Sequence, residues 1–197
     1  IAQCLVGSEM CIRDRNKRGF LFMKICIIGA GSTYTPELIE GIINKRDSLP
    51  VSEISFMDID ERKLNIVGSL CQRMIVAAGL NCKTELVLND YEHALKGADF
   101  VLAQIRVGKL PARVKDEKIP LKYDLIGQET CGIGGMFKGL RTIPVMIQIV
   151  KMMEMYCPNA WLINFSNPSG MIAEALLNYT NAVSYTHLRA HETLSDL

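Results

Sequence analysis

The feature that most constrains this chain is an apolar run that ends in a glycine turn and leads directly into a helix, within residues 23–36. Residues 25–28 are too few and too rich in isoleucine for a helix, and they predict a buried parallel strand. Gly29 and Gly31 permit a tight turn and let the backbone approach a ligand closely. We expect Thr35 to cap the next helix, whose first N–H groups would hold a pyrophosphate.

This turn is an incomplete dinucleotide-binding fingerprint, because Tyr34 stands where the pattern has its third glycine. A glycine pair that serves only the turn is the simpler alternative. Asp58 favours a cofactor, since it follows a second apolar strand at residues 54–57, where an acid accepts hydrogen bonds from the adenosine ribose and repels a 2′-phosphate. The order of strand, turn, helix, strand and acid predicts that the chain binds NAD.

The totals are those of a globular chain with a core: 197 residues, a net charge of +1 and 49% hydrophobic residues. The balanced charge gives no reason to expect a nucleic acid or a membrane surface as a partner. No apolar run in the sequence is long enough to cross a bilayer. Seven cysteines without a Cys-x-x-Cys pair argue against a disulfide scaffold and favour a reducing cytoplasm.

The two ends of the chain look foreign to the segment between them. If residues 5–14 are written as CTC GTG GGC TCG GAG ATG TGT ATA AGA GAC, the reverse complement translates as residues 183–192, one for one. Both ends therefore resemble one DNA adaptor read on opposite strands. We expect residues 1–22 to be a non-native or untranslated leader, residues 23–182 to be the native segment, and residues 183–197 to be a non-native tail.

One apparent metal site lies in this tail. His187 and His191 are four residues apart with Glu192 beside them, which is the spacing of a helical metal pair. If the tail is an adaptor, the spacing is an accident. We therefore assign no metal-binding residue to this sequence.

Strands and helices alternate along the native segment, which predicts a doubly wound α/β fold with a parallel sheet. Gly79 is expected to end the long second helix in a left-handed conformation. The expected strands lie at residues 25–28, 54–57, 84–88, 100–104 and 161–165, and the expected helices at residues 36–45, 61–78, 91–95 and 140–156, with another from Gly170.

The pattern changes after residue 104. Residues 106–118 are polar and highly charged, and residues 119–135 contain four glycines, so the latter are expected to form a loop where open α/β sheets bind ligands. Pro144 is compatible with the following helix only near its first turn.

Several longer motifs, in the same order, resemble glycoside hydrolase family 4 and most closely its 6-phospho-β-glucosidase branch. They are the glycine turn with its helix start, Arg106-Val107-Gly108, residues 119–123, Gln128-Glu129-Thr130, residues 139–144 and Asn164-Phe165-Ser166-Asn167-Pro168. The resemblance covers residues 23–182 almost entirely. It implies a Rossmann-like NAD-binding domain, with the C-terminal substrate domain missing from this chain.

Members of that family are cytoplasmic bacterial enzymes that cleave phosphorylated disaccharides with NAD and a divalent metal, usually manganese. The resemblance implies that a hydride passes from C3 of the sugar to NAD, that a tyrosine base removes the C2 proton, and that the aglycone leaves C1 by elimination. The metal polarises the C2 and C3 oxygens, and addition of water and return of the hydride complete a net hydrolysis. A cellobiose-phosphate type of substrate and a homo-oligomeric full-length enzyme are implied as well.

The resemblance also assigns the cofactor-binding residues. Gly29, Gly31 and Ser32 match the turn that holds NAD, and Asp58 matches the ribose contact. These positions agree with the ones that the glycine pattern indicates by itself.

The substrate-binding assignments rest on the resemblance alone. Arg113 matches a substrate-binding arginine, and its alternative is a solvated charge on a basic surface. Asn167 matches a substrate-binding asparagine, and its alternative is a turn former before Pro168. Glu129 matches an acid that tunes the basicity of the catalytic tyrosine, and its alternative is a loop carboxylate that accepts nearby N–H groups.

The metal cysteine, the metal histidine and the tyrosine base of the family would lie beyond residue 182, so this chain is expected to bind NAD weakly and to hydrolyse nothing. Two alternatives of other classes stay open. One is a hydroxy-acid dehydrogenase of the lactate or malate type, which residues 128–132 do not fit, and the other is a non-catalytic NAD-binding module. Within the family, α-glucosidase or α-galactosidase activity is a further alternative.

Overall fold

The structure, a computed structural model, describes residues 23–180 and 184–185. The expected leader, residues 1–22, lies outside the described residues. So does most of the expected tail, including the His187 and His191 pair.

Within the described residues, six parallel strands form one sheet in the spatial order β3-β2-β1-β4-β5-β6. The strand order reverses between β1 and β4, which is the doubly wound arrangement and confirms the expected fold class. β6 lies within residues 183–197, which the sequence predicts to be a non-native tail. The strands are β1 Met23–Ile28, β2 Val51–Asp58, β3 Lys83–Leu88, β4 Phe100–Ala103, β5 Trp161–Asn164 and β6 Ser184–Tyr185.

The core lies on both faces of the sheet. Cys26 and Ile27 are consecutive in β1 and so point to opposite faces, yet both are fully buried. Cys26 belongs to a cluster with Met146 of one helical layer, and Ile27 belongs to a second cluster with Ile39 of the other layer. This two-sided burial explains why residues 25–28 of β1 are all apolar.

Seven helices and one π-helical segment, Leu64–Gly68, surround the sheet in the described part of the chain. Gly79 has a φ of +66°, and the N–H of Leu80 donates to the carbonyl of Ile75 at 3.2 Å, so the expected left-handed cap is confirmed. None of the helices in residues 23–180 combines the length and apolarity needed to cross a membrane. The helices are α1 Thr35–Asn44, α2 Glu61–Lys63, α3 Ser69–Ala77, α4 Tyr91–Leu95, α5 Lys109–Leu121, α6 Gly132–Tyr156 and α7 Ser169–Tyr179.

Thr35 does not cap α1, contrary to the expectation from sequence. It lies within the first turn, and Tyr34 occupies the cap position without a side-chain hydrogen bond to the helix. Thr35 is fully buried: its hydroxyl donates to the carbonyl of Ala30 at 2.9 Å and accepts a hydrogen bond from Nε2 of Gln104 at 2.6 Å. The Thr35 hydroxyl therefore joins the glycine turn to the residue that follows β4 and does not cap the helix.

Helices also occupy both ends of the segment that was expected to be a loop. α5 extends to Leu121, and α6 begins at Gly132 rather than at residue 140. The glycines of α6 serve close packing, because a Cβ on Gly134 would lie 2.2 Å from the carbonyl oxygen of Gln128. The loop expectation was therefore wrong for residues 119–121 and 132–135.

Pro144 lies inside α6 and not in its first turn, so that expectation was wrong as well. Proline removes the hydrogen bond to the carbonyl four residues earlier and costs about 3 kcal/mol or more in a helix interior. The helix nevertheless continues to Tyr156, because Met146, Ile149 and Met153 on its inner face are almost completely buried. Burial of this face outweighs the local defect.

Candidate functional site

The glycine turn lies at the carboxyl end of β1, where the strand order reverses and open α/β sheets bind ligands. Gly29 has a φ of +85°, and a Cβ there would lie 2.7 Å from the carbonyl oxygen of Gln104. A Cβ on Gly31 would lie 2.6 Å from Cβ of Lys63. The fold therefore requires glycine at both positions, because the protein's own atoms occupy the place of a Cβ.

Asp58 closes this turn from the end of β2. Its Oδ2 accepts the N–H of Gly31 at 2.8 Å, and its Oδ1 accepts the N–H of Asp60 at 2.8 Å. A carboxylate offers about four lone-pair positions, so both oxygens retain capacity for ribose hydroxyls. The structure thus brings two residues predicted from sequence into direct contact.

Ser32 completes the turn before α1. Its N–H donates to the carbonyl of Gly29 at 3.0 Å, and its Oγ accepts the N–H of Tyr34 at 3.3 Å. Glycine backbone, an adjoining helix start and Asp58 are the donor and acceptor set that a dinucleotide requires. The residues present therefore fit NAD.

A second polar group surrounds Glu129. Nη1 of Arg106 lies 3.1 Å from Oε1 of Glu129, Nη2 of Arg113 lies 3.2 Å from Oε2, and Nζ of Lys138 contacts Oε1. We call these four residues the Glu129 cluster. Arg113 and Glu129 were predicted from sequence and meet here, whereas Arg106 and Lys138 had no predicted role.

Burial by itself would raise the pKa of Glu129, but the hydrogen bond and charge of Lys138, with the charges of Arg106 and Arg113, hold it below its usual value. Lys138 is 4% exposed, and its burial lowers the pKa of its ammonium group although Glu129 opposes this change. The carboxylate of Glu129 is therefore ionised and fixed at neutral pH.

Arg113 is held between two carboxylates. Its Nε lies 2.8 Å from Oε1 of Glu117, one turn further along α5, while Nη2 contacts Glu129. The hydrogen bond to Glu117 and the charge of Glu129 raise the pKa of the guanidinium, against a smaller opposing effect of desolvation. Arg113 is therefore oriented before any ligand arrives.

A bidentate ion pair joins the two helices that carry these cations. Asp116 of α5 is almost completely buried and accepts two hydrogen bonds from Arg141 of α6, at 3.1 Å and 2.5 Å. Nε of Arg141 also donates to the carbonyl of Val107, after β4, at 3.1 Å. This pair fixes Arg113 and Lys138 relative to each other and to the sheet.

Asn167 lies in the segment that follows β5. The neighbouring Ser166 accepts the N–H of Ile105 on its Oγ at 2.9 Å, which joins this segment to the one after β4. Oδ1 of Asn164 accepts the N–H of Ser166 at 2.8 Å and fixes the bend. Among the described residues, no hydrogen bond joins the side chain of Asn167 to the Glu129 cluster, so its predicted substrate contact stays a prediction.

Sequence reasoning missed Lys138 because the start of α6 was assigned to a loop. Once the helix is extended, Lys138 shares its buried face with Thr142 and Met146, and a lysine on an apolar helical face is a detectable signal. Arg106 gave no comparable signal beyond its place after β4. Within the described ranges, no three His, Cys, Asp or Glu side chains are grouped closely enough to hold a metal.

Comparison with known proteins gives concordant matches. The model of the family described as family 4 glycosyl hydrolase matches residues 24–189. The chain is 60% identical over 161 residues to a probable 6-phospho-beta-glucosidase of Bacillus subtilis. This alignment covers 81% of the chain and 36% of the relative. It is 55% identical over 160 residues to a 6-phospho-beta-glucosidase of Escherichia coli. This alignment covers 80% of the chain and 35% of the relative.

A relative of the other anomeric type is less similar. The chain is 43% identical over 151 residues to 6-phospho-alpha-glucosidase 1 of Lacticaseibacillus paracasei. This alignment covers 77% of the chain and 34% of the relative. The chain spans about a third of the length of the curated relatives that it matches.

Solved structures show the same relationship. A 6-phospho-alpha-glucosidase from gut microorganisms in complex with NAD and Mn²⁺ superposes with a TM-score of 0.82 at 34% identity, over 86% of this chain and 39% of that chain. The 6-phospho-beta glucosidase of Thermotoga maritima with manganese, NAD⁺ and glucose-6-phosphate gives a TM-score of 0.74 at 41% identity. The superposition covers 80% of this chain and 38% of that chain.

The dehydrogenase alternative matches in fold alone. Malate dehydrogenase from Plasmodium falciparum superposes with a TM-score of 0.61 at 14% identity, over 87% of this chain and 46% of that chain. The family model, in contrast, matches most of the chain, and the motifs around the glycine turn and Glu129 lie within the match. This chain therefore belongs to the family 4 glycosyl hydrolases.

Proposed function

We propose that this chain is the cofactor-binding part of a cytoplasmic glycosidase that depends on NAD and a divalent metal and hydrolyses 6-phospho-β-glucosides. The observation that carries this proposal is the position of two groups at one edge of the sheet. The glycine turn with Asp58 follows β1 and β2, and Arg106 of the Glu129 cluster follows the adjacent β4. A crevice at these strand ends would therefore place a dinucleotide site beside a fixed set of cations.

The cofactor assignment draws support from this geometry and from the solved relatives, which hold NAD and Mn²⁺. Gly29 and Gly31 would let the phosphates approach the start of α1 beside Ser32, and Asp58 would accept the ribose hydroxyls. When bound, NAD supplies a reversible hydride acceptor, and the divalent metal, which we propose to be manganese, supplies a Lewis acid.

The substrate assignment rests on the Glu129 cluster. Arg113, fixed between two carboxylates, can donate paired hydrogen bonds to the hydroxyls or the phosphate of a phosphorylated disaccharide. Glu129 keeps this guanidinium in place and sets the local charge for a neighbouring base. Asn167 would contact the sugar from the end of β5.

The β-anomeric preference is supported by the relatives at 60% and 55% identity, both of which are 6-phospho-beta-glucosidases. The relatives at 43% and 41% identity, one of each anomeric type, do not distinguish the two. We infer a β-linked substrate of the cellobiose-phosphate type and, for the whole enzyme, a homo-oligomer.

The family resemblance of the sequence implies that the metal ligands and the catalytic base lie outside residues 23–180. We therefore expect the 197-residue chain to bind NAD without hydrolysing a phosphoglucoside. Calorimetric titration tests the first part, and one NAD bound per chain is the expected result. A folded chain that binds no NAD would refute the cofactor assignment.

A chimera tests the activity. Residues 23–180 replace the matching residues of the Bacillus subtilis relative, and hydrolysis of p-nitrophenyl 6-phospho-β-glucoside is followed with and without NAD and Mn²⁺. We expect activity that requires both, and a loss of at least about tenfold in kcat/KM for Arg113→Lys, because lysine cannot reproduce the bidentate fork. A folded, NAD-binding chimera without activity would contradict the proposal.

A further inference from the structure

One ion pair crosses the candidate cofactor site. Nζ of Lys109, at the start of α5, lies 3.0 Å from Oδ2 of Asp60, which follows β2. Lys109 follows β4, and β1 lies between β2 and β4 in the sheet. The pair therefore spans the carboxyl end of β1, where the glycine turn is located.

The backbone at Lys109 is strained. Its φ is +54°, and it follows Gly108, whose φ is +80°. A lysine rarely adopts this left-handed region, and such conformations persist where the surrounding structure requires them. Here the conformation accompanies the contact between Lys109 and Asp60, which are 49 positions apart in the chain.

Asp60 lies next to the expected position of the ribose. Its N–H donates to Oδ1 of Asp58, the predicted ribose-binding acid, at 2.8 Å. Its own Oδ1 accepts the N–H of Lys63 at 3.3 Å and caps α2. The hydrogen bond from Lys109 is the main reason why the pKa of Asp60 is lowered, with a smaller effect from Lys63. Asp58 and Asp60 thus both lie at the end of β2, joined by the hydrogen bond from the backbone of Asp60 to the carboxylate of Asp58.

We propose that Asp60 is a second residue, beside Asp58, that selects NAD over NADP. This inference rests on the proposed cofactor site. A 2′-phosphate on the ribose would meet the negative charge of Asp60 as well as that of Asp58. Asp60 also occupies Lys109, a cation that would otherwise be available to pair with that phosphate.

The test compares the affinities of NAD and NADP for the 197-residue chain by calorimetric titration. Asp60→Asn is the main variant, because asparagine removes the charge and is as good a helix cap as aspartate. Asp60→Ser provides a second neutral cap in case the first variant folds poorly. Asp90→Asn is the matched control, since Asp90 caps α4 by accepting the N–H of His93 at 3.0 Å in the same way.

We expect the wild-type chain to prefer NAD and Asp60→Asn to strengthen NADP binding about five- to tenfold relative to NAD. Adding Lys109→Met to Asp60→Asn should remove part of this gain, because the freed cation is lost. Lys109→Met alone should not favour NADP, and Asp90→Asn should leave the ratio unchanged.

Two failures are distinguishable. A folded wild-type chain that binds neither nucleotide overturns the proposed cofactor site, and this inference with it. A wild-type chain that binds NAD, with folded Asp60→Asn and Asp60→Ser variants that keep the wild-type ratio of NADP to NAD affinity, overturns the selectivity role of Asp60 alone.

Discussion

Arg141 holds Asp116 through two hydrogen bonds, with Nη1 3.1 Å from Oδ1 and Nη2 2.5 Å from Oδ2. The hydrogen bond to Asp116 raises the pKa of Arg141, so the pair stays charged at every pH at which the carboxylate is ionised. The pair joins α5 to α6 and so connects the helix that carries Arg113 to the helix that carries Lys138. The geometry of the Glu129 cluster depends on this remote contact.

We expect Arg141→Met to lower the free energy of unfolding by roughly 3 kcal/mol, because it leaves the almost completely buried Asp116 carboxylate without its partner. Urea denaturation measured by circular dichroism gives this value. Lys115→Met is the control, since Lys115 is an exposed cation beside Asp116 on α5. Equal stabilities of the two variants would show that the pair contributes little.

We expect Gly31→Ala to weaken NAD binding at least about tenfold and to destabilise the fold by about 1–3 kcal/mol, because the new Cβ would meet Cβ of Lys63 at 2.6 Å and Oδ2 of Asp58 at 2.9 Å. The turn must shift, and the hydrogen bond from Gly31 to Asp58 with it. Titration calorimetry and thermal unfolding measure the two effects.

Gly41→Ala is the matched control for this substitution. Gly41 lies within α1 and has no heavy atom within 4 Å of a built Cβ, so alanine should keep or slightly increase stability. If Gly31→Ala binds NAD as tightly as Gly41→Ala, the turn is not the phosphate site.

Stability should depend on pH through Glu129. Its pKa in the folded chain lies below its usual value of 4.5, so the unfolded chain binds the proton more readily and acid favours unfolding. The stabilisation is fully present above about pH 4.5 and is lost as the pH falls through the folded-state pKa.

We therefore expect Glu129→Gln to cost about 2 kcal/mol at pH 7, where it leaves Lys138 buried without a charged partner, and progressively less below pH 4.5. Urea titrations at pH 7, 4.5 and 3.5 measure this difference. Glu40→Gln, at an exposed position of α1, should change stability by less than about 0.5 kcal/mol throughout. A pH-independent cost for Glu129→Gln would contradict the assignment.

The glycine turn and Asp58 could be predicted because their signals are local. The signal lies within 36 residues, from Met23 to Asp58, and consists of an apolar strand, two glycines and an acid after the next strand. The backbone of the turn accounts for the pattern, since the N–H of Gly31 donates to Asp58. The central strands were also predictable from their apolar runs, since residues 25–28 of β1 and residues 100–103 of β4 are packed on both faces.

The Glu129 cluster was only half predicted because its contacts are not local. α5 buries only Asp116 and Pro120 and so lacks an apolar stripe that would identify it as a helix. Gly134 and Gly135 disfavour a helix by propensity, yet the carbonyls of Gln128 and Thr130 lie where a Cβ would be. Tertiary packing thus overrode the local signals that predicted a loop there. Because the start of α6 was not predicted, the place of Lys138 on its buried face was not predicted either.

Thr142 of α6 offers a final prediction. Its Oγ1 is the single buried side-chain oxygen or nitrogen without a hydrogen-bond partner among the described residues. The residue is 1% exposed, on the buried face that α6 shares with Lys138 and Met146.

We expect Thr142→Val to leave the fold as stable as the wild type or about 1 kcal/mol more stable, because valine has the same shape and no unpaired hydroxyl. Thr35→Val is the matched comparison and should destabilise by about 1–3 kcal/mol, because Thr35 both donates to Ala30 and accepts from Gln104. Thermal unfolding of the two variants at pH 7 distinguishes the cases. A similar destabilisation in both would show that the hydroxyl of Thr142 has a partner in solution, such as an ordered water.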